Sequence, residues 1–176
     1  MRYLGQHFLI EKNIVKKIVD IADLDKDDVV LEVGPGKGVL TEELLNCVKC
    51  VVAIEKDRNL YDILKDRFKD RNNLELICGD VLQVFKPQIT NSKIQINYKL
   101  QTTNKPEIQN KKFQLPEKYK IVANIPYYIT SRFLKIFLEE IEAQPQKMVL
   151  MVQKEVAERI CKTLPKSVLA VSVQAY

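Results

Sequence analysis

The sequence predicts an α/β fold with a mostly parallel sheet and helices on both of its faces. Short apolar runs recur along the chain, and segments with apolar residues at helical spacing separate them. The runs are nearly continuous in Val, Ile and Leu, which is typical of strands buried on both faces. With 176 residues, 46% of them hydrophobic, the chain is long enough to form one domain with a substantial core.

The apolar pattern places each element in turn. Ile14, Ile18 and Ala22 share one face of a first helix, and Leu60, Leu64 and Phe68 share one face of a later helix. Up to Gly79, the predicted elements are a helix at 11–22, a strand at 29–33, a helix at 39–47, a strand at 50–55, a helix at 58–70 and a strand at 74–78. Farther along, they are a strand at 121–123, a helix at 131–141, a strand at 148–152 and a helix at 154–161.

A Lys-rich segment at about 86–118 interrupts this alternation. Between Lys86 and Lys120 the sequence has eight Lys and two Glu, a net charge of +6, so this stretch accounts for the whole net charge of +5. Alternation is weak there, at 93–100 and 111–115, which leaves a hairpin arm and a disordered loop as open interpretations. Lysines in this segment could contact phosphates and would make binding salt-dependent.

Composition and the cysteine pattern indicate in which cellular compartment the protein functions. No run of 18 apolar residues occurs, so no membrane-spanning helix is predicted. The N-terminal residues lack the apolar core of a signal peptide. Four cysteines and one histidine do not resemble a disulfide framework, and the Cys47-Val48-Lys49-Cys50 pair lacks the further ligands of a zinc site. We therefore expect a cytoplasmic protein without a bound metal.

The strand at 29–33 runs into Gly34-Pro35-Gly36-Lys37-Gly38, a glycine loop before a helix. Such a loop lets a ligand approach the backbone and the helix N-terminus. A dinucleotide fingerprint requires a small residue where Val39 stands, and a P-loop requires Ser or Thr where Gly38 stands. The remaining interpretation is the G-x-G-x-G loop of S-adenosylmethionine enzymes, with the acidic Glu32 in the preceding strand.

Acidic residues follow the next two strands. Glu55 ends one strand, where its two oxygens could accept hydrogen bonds from vicinal ribose hydroxyls. Asp80 follows the other strand and could accept from an adenine amino group. Glu55 could instead be a surface charge, and Asp80 a turn or N-cap residue. Three successive strand ends that carry the loop, Glu55 and Asp80 favour a ligand cleft at the carboxyl edge of the sheet.

The fourth strand is followed by Asn124-Ile125-Pro126-Tyr127, which suits the methylation of an exocyclic amine on a base. The lone pair of such an amine is delocalised into the ring. The Asn124 side-chain oxygen and the Ile125 carbonyl could accept its two N–H bonds and turn the lone pair towards the methyl donor. Tyr127 or Tyr128 could stack on a flipped base. The alternative is a proline turn with both tyrosines in the core.

Four motifs together resemble the ribosomal RNA adenine N6-dimethyltransferases, the KsgA-like family that includes the erythromycin-resistance enzymes. The resemblance covers the chain except for the Lys-rich segment. In order, the motifs are Gly5-Gln6-His7-Phe8-Leu9, Glu32-Val33-Gly34-Pro35-Gly36-Lys37-Gly38-Val39-Leu40-Thr41, Asn124-Ile125-Pro126-Tyr127-Tyr128-Ile129-Thr130 and Val152-Gln153-Lys154-Glu155-Val156-Ala157-Glu158-Arg159.

The resemblance implies a Rossmann-like class I methyltransferase fold and S-adenosyl-L-methionine as cofactor. It assigns the target-adenine site to Asn124, Ile125, Pro126 and Tyr127, and the remaining cofactor contacts to His7, Leu9, Gly34, Gly36, Glu55 and Asp80, together with Asn124. His7 stands where many members have Asn.

The resemblance further implies a ribosomal RNA substrate, with the small subunit favoured over the large-subunit target of the resistance enzymes. The family continues past a stretch like 169–176 into further strands and a small helical domain. We therefore expect residues 1–176 to form a single catalytic domain with an insertion at 86–118, without that helical domain, acting as a monomer. A non-catalytic or weakly active RNA-binding module of the same fold is the alternative.

Overall fold

A computed structural model of the chain describes residues 12–85, 95–99, 110–141 and 143–161. Strands and helices alternate through most of these ranges, as the sequence predicts. In chain order, the elements are α1 (Lys12–Ala22), β1 (Val29–Val33), α2 (Val39–Cys47), β2 (Cys50–Glu55), α3 (Arg58–Arg67), β3 (Leu74–Cys78), α4 (Val81–Val84), β4 (Gln95–Lys99), β5 (Asn110–Gln114), β6 (Lys120–Asn124), α5 (Thr130–Lys135), β7 (Lys147–Met151) and α6 (Lys154–Cys161).

Five parallel strands form the main sheet, in the order β3-β2-β1-β6-β7. The chain builds outward from β1 to β2 and β3 on one side, and then returns to place β6 and β7 on the other side. The carboxyl ends of β1 and β6 therefore meet at the point where the strand order reverses, which is where open α/β sheets bind ligands. Registered pairing between β1 and β6 covers only Val30 and Leu31 of β1.

Two apolar layers cover the sheet, because successive residues of a strand point to opposite faces. Leu31 and Val33 of β1 belong to the layer that α4 and α5 cover, which contains Phe85, Phe133 and Phe137. Val30 belongs to the opposite layer, which α1, α2 and α3 cover. The prediction of helices on both faces is confirmed. None of the described helices has the length and apolar character that crossing a membrane requires.

The Lys-rich segment contains an antiparallel pair of strands, β4 and β5, in which Ile96 lies opposite Phe113. The pairing of these two strands is what the hairpin interpretation expects. Residues 86–94 and 100–109 lie outside the described residues. Lys120, which begins β6 just after this segment, stabilises the fold, since its ammonium donates to Asp28 Oδ2 at 2.7 Å and to the Asp23 carbonyl at 2.6 Å.

Several elements differ from the sequence prediction, and β6 and β7 do so by one residue at each end. The helix predicted at 58–70 ends at Arg67, where the Phe68 N–H still donates to the Leu64 carbonyl. The helix predicted at 131–141 is α5 followed by a π-helical turn at Ile136–Glu140, after a 3-10 turn at Tyr127–Ile129. The four-residue helix α4 was not predicted, because one turn is too short to show a periodic pattern.

Candidate active site

The glycine loop after β1 depends on a left-handed backbone. Gly34, Gly36 and Gly38 have φ angles of 66°, 61° and 80°, values that side chains with a Cβ rarely adopt. At Gly38 space is also limiting, because an added Cβ would lie 2.7 Å from both Leu64 Cδ2 and Phe68 Cε2. Glycine therefore lets the loop turn sharply and lets α3 pack closely against the start of α2.

Arg67, at the end of α3, forms hydrogen bonds to the glycine loop and to the helix that follows it. Its Nη1 donates to the Lys37 carbonyl at 2.5 Å, and its Nη2 donates to Glu42 Oε2 at 2.6 Å. The guanidinium also lies over the Phe68 ring, 5.1 Å from the ring centroid. Two hydrogen bonds and a ring contact thus hold the guanidinium against the loop.

Glu55, at the end of β2, is a buried carboxyl group attached to the loop. Its side chain accepts from the Gly36 N–H at Oε2, 3.1 Å away, and from the Asp57 N–H at Oε1, 2.8 Å away. Burial raises the pKa of Glu55, and these backbone N–H groups partly offset the rise. With only 2% of the residue exposed, Glu55 is not the surface charge that the sequence left open. Each of its oxygens has a second lone pair, which suits a diol.

Glu32, within β1, is a second buried carboxyl group on the same side of the sheet. Burial, with a smaller contribution from Glu55, raises the pKa of Glu32 to about 8. The Thr41 hydroxyl acts in the opposite direction, although the two groups do not meet hydrogen-bond geometry. Within the described structure, Oε2 of Glu32 and Oγ1 of Thr41 lack a hydrogen-bond partner. Beside a loop that suits a ligand, an unpartnered buried oxygen is a vacant acceptor or donor.

We expect Glu32→Gln to remove a pH dependence of stability. Between pH 4.5 and 8 the folded protein keeps a proton on Glu32 that the unfolded chain has lost. The free energy of unfolding therefore falls as the pH rises, by up to about 1.4 kcal/mol per pH unit. Gln is neutral in both the folded and the unfolded state. In urea unfolding at pH 5, 6, 7 and 8, the free energy of unfolding of the variant should therefore fall less steeply with pH than that of the unaltered chain. If the free energy of unfolding fell equally with pH in the variant and in the unaltered chain, the raised pKa of Glu32 would be contradicted.

Asp80 has the N-cap role that the sequence left open, because its Oδ1 accepts from the Leu82 N–H of α4 at 3.0 Å. Its Oδ2 accepts from Lys56 Nζ at 2.9 Å. Because Lys56 follows β2 and Asp80 follows β3, this contact lies at the carboxyl ends of two neighbouring strands. An adenine amino group that bonds Asp80 would therefore share this carboxylate with Lys56.

The segment after β6 presents polar groups and exposed rings. Ile125 is buried, and its N–H donates to the Met151 carbonyl at 3.0 Å. The Pro126 carbonyl accepts from the Ile129 N–H and the Thr130 hydroxyl, at 3.1 and 3.2 Å. The Pro126 carbonyl is therefore engaged within the turn.

Both tyrosines after this turn face solvent. Tyr127 is 49% exposed and Tyr128 is 56% exposed. Their rings meet edge to face, with centroids 5.7 Å apart. These exposures exclude the alternative in which both tyrosines belong to the core. Exposed rings beside polar acceptors are suited to stacking with a base.

Most of the predicted site residues come together at one edge of the sheet. Strand alternation places Glu32, Glu55 and Asn124 on the face that α1, α2 and α3 cover, because Val30, Ala53 and Val122 belong to that layer. The loop, Asp80 and the Ile125–Tyr127 segment lie at the same edge. His7 and Leu9 lie outside the described residues. In the ranges described, no three side chains are grouped to hold a metal ion.

Glu32 and Lys56 lie at this edge of the sheet, but the sequence assigned neither of them a ligand contact. Glu32 had one sequence signal, a charge inside an otherwise apolar strand, which is unfavourable unless the group has a function or a partner. Lys56 had no signal, because a lysine after a strand is typical of an exposed turn.

The matching family model and the most similar named relatives indicate the same protein family. The family model described as ribosomal RNA adenine dimethylase matches residues 2–176. A protein of Dehalococcoides mccartyi named ribosomal RNA small subunit methyltransferase A is 42% identical over 174 residues, which is 98% of this chain and 52% of that protein. A Clostridioides difficile protein of the same name is 40% identical over 176 residues, covering 98% and 54%.

Solved structures agree with the fold. A dimethyladenosine transferase from Plasmodium falciparum is 29% identical, with a TM-score of 0.70, over 97% of this chain and 53% of that one. The 23S rRNA methyltransferase ErmE is 28% identical, with a TM-score of 0.61, over 86% and 50%. The chain spans about half the length of the curated relatives it matches. Its sheet is the Rossmann-like sheet of class I methyltransferases, and the chain belongs to the ribosomal RNA adenine dimethylase family.

Proposed function

We propose that this chain transfers methyl groups from S-adenosyl-L-methionine to N6 of adenine in ribosomal RNA and forms dimethyladenosine. One observation carries the proposal. The buried Glu55, attached to the glycine loop, and Asn124 share one face at the carboxyl edge of the sheet. A cofactor held at Glu55 and an amine held at Asn124 would therefore lie in the same crevice.

The cofactor assignment fits the residues present. Both Glu55 oxygens are held by backbone N–H groups and can accept from the two ribose hydroxyls. The left-handed loop at Gly34 and Gly36 lets a ligand approach the backbone closely. Asp80 would accept from the adenine amino group, and His7 and Leu9 complete the contacts that the family resemblance assigns. When bound, S-adenosylmethionine supplies an electrophilic methyl group on its sulfonium.

The chain's own contribution to the reaction is to orient the amine. The Asn124 side-chain oxygen and the Ile125 carbonyl accept its two N–H bonds. Pro126 fixes their spacing, because its φ of −58° is locked and its carbonyl is engaged within the turn. These acceptors favour a pyramidal nitrogen whose lone pair points towards the methyl donor. The methylated ammonium is acidic enough to lose its proton to water, so no side-chain base is assigned.

The tyrosine rings would hold the base outside its stack. Tyr127 and Tyr128 are exposed beside the Asn124–Pro126 acceptors, and their edge-to-face arrangement leaves ring faces open to solvent. Stacking on an aromatic side chain contributes about 1–3 kcal/mol per base. That contribution helps to offset the cost of extruding the adenine.

We further propose that small-subunit ribosomal RNA is the substrate, because the relatives at about 40% identity are named for that subunit. The described structure is consistent with one catalytic domain, in which the Lys-rich segment at 86–118 is an inserted hairpin arm that contacts RNA. We propose that the protein acts as a cytoplasmic monomer.

A methyl-transfer assay tests this function. The chain is incubated with tritiated S-adenosylmethionine and with small-subunit or large-subunit ribosomal RNA transcribed in vitro, and the digested RNA is separated into nucleosides. We expect label in N6-methyladenosine and N6,N6-dimethyladenosine from the small-subunit RNA. Label in other nucleosides would overturn the adenine assignment, and equal labelling of both RNAs would overturn the choice of subunit.

A further inference from the structure

Lys56 is an exposed cation at the crevice, and the proposed reaction gives this residue no role. It follows Glu55 directly, and its Nζ lies 2.9 Å from Asp80 Oδ2. The lysine side chain is 68% exposed and that of Asp80 is 26% exposed. Ion pairs this exposed contribute little to stability. The contact is therefore easily exchanged for another partner.

The charges around Lys56 are mostly acidic. Glu55 ends β2, Asp57 caps the start of α3, and Asp80 caps the start of α4 just after β3. Such an edge attracts a sulfonium cofactor but repels the phosphates of an RNA that enters the same crevice. A positive charge at this edge reduces the repulsion where the RNA must approach.

Lys56 also lies near the rings proposed to hold the base. The hydrogen bond and charge of Asp80 raise the pKa of the Lys56 ammonium, and the Tyr128 phenol adds to the rise. Tyr128 therefore lies near enough to the ammonium to influence it electrostatically. A nucleotide stacked on Tyr127 or Tyr128 would carry its phosphates along the same rim.

We propose that Lys56 binds a backbone phosphate of the RNA beside the target adenine, and that the cofactor promotes this contact by competing for Asp80. This inference rests on the proposed function. The amino group assigned to Asp80 is a donor, and so is the Lys56 ammonium, so an arriving cofactor weakens the hold of Asp80 on Lys56. The released ammonium then pairs with phosphate as a point charge. Cofactor and RNA binding become coupled through this exchange.

The test uses Lys56→Gln, with Lys65→Gln as the matched control on the exposed side of α3. Binding of a fluorescein-labelled, adenosine-rich single-stranded RNA dodecamer is measured by anisotropy, with and without S-adenosylhomocysteine and at several salt concentrations. In the presence of S-adenosylhomocysteine, we expect Lys56→Gln to weaken RNA binding about fivefold. The slope of log affinity against log salt should fall in magnitude by about 0.7 to 1. Lys65→Gln should match the unaltered chain.

The outcomes separate this inference from the function on which it rests. Unchanged RNA affinity in Lys56→Gln, with normal binding by the unaltered chain, would overturn the inference alone. Weaker S-adenosylhomocysteine binding without an RNA effect would also overturn it, since Lys56 would then only position Asp80. An unaltered chain that binds the dodecamer without any response to S-adenosylhomocysteine would remove the coupling. Failure of the unaltered chain in the methyl-transfer assay would instead overturn the proposed function.

Discussion

Replacing Asn124 by Ala should reduce methyl transfer by about 10²- to 10³-fold, comparable to the loss of one preorganised hydrogen-bonding group in other active sites. The variant removes the side-chain oxygen proposed to accept from the target amine and keeps the backbone of β6, whose end is held by the Ile125 N–H bond to Met151. The amine then stays planar, with its lone pair delocalised into the ring. Single-turnover transfer to small-subunit RNA measures the effect without a contribution from product release.

Asn73→Ala is the matched control, because that amide donates to the Leu45 carbonyl at 2.9 Å, in the layer covered by α1, α2 and α3 and away from the crevice. It should lower the thermal midpoint and leave the single-turnover rate within about threefold. Normal transfer by a folded Asn124→Ala variant would show that the target amine is held elsewhere. An equal loss of rate in both variants would indicate a general effect on folding.

Replacing Glu55 by Gln should raise the Kd for S-adenosylmethionine about 100-fold. The carboxylate accepts from Gly36 and Asp57 and is assigned both ribose hydroxyls, whereas the Gln amide nitrogen accepts nothing. The substitution thus removes a ribose acceptor and releases one end of the glycine loop. Hydrogen bonds to charged groups contribute about 1.5–3 kcal/mol, which corresponds to this fold-change. Equilibrium dialysis with tritiated cofactor measures it.

Asp62→Asn is the control for Glu55→Gln. Asp62 is an exposed carboxylate on α3, and its Oδ2 lies 3.9 Å from Arg58 Nε. The charge change is the same, but the position is on the outer surface of the helix, so the Kd should stay within about twofold. If Glu55→Gln bound the cofactor as tightly as the unaltered chain, Glu55 would serve only to hold the loop.

Local sequence signals were sufficient to predict the strands β1, β2 and β3 and the helix α2. The bounds of β1, α2, β2 and β3 match their predictions, because each strand is a short apolar run that ends at a charge or a glycine. The loop glycines likewise indicated a turn of the backbone, and all three have positive φ. These features are properties of a few adjacent residues, so a sequence shows them directly.

Other features depend on contacts between distant residues. The Lys56–Asp80 pair joins residues 24 positions apart, and the unpartnered oxygen of Glu32 depends on how α2 covers β1. The π-helical turn at Ile136–Glu140 widens a helix whose apolar spacing predicts a regular one. Asp80 could be interpreted as a cap or as a ligand contact, and the structure shows the cap at Oδ1 together with the Lys56 contact at Oδ2.

The account depends most on a cofactor site formed by the glycine loop and Glu55, so calorimetric titration of the unaltered chain with S-adenosylmethionine tests it most directly. NAD and ATP are the comparison ligands, because dinucleotide-binding sites and P-loops also place a glycine loop before a helix. We predict a saturable heat with S-adenosylmethionine, at one molecule per chain, and none with NAD or ATP. Saturable binding of NAD or ATP, or none of S-adenosylmethionine, would contradict the account.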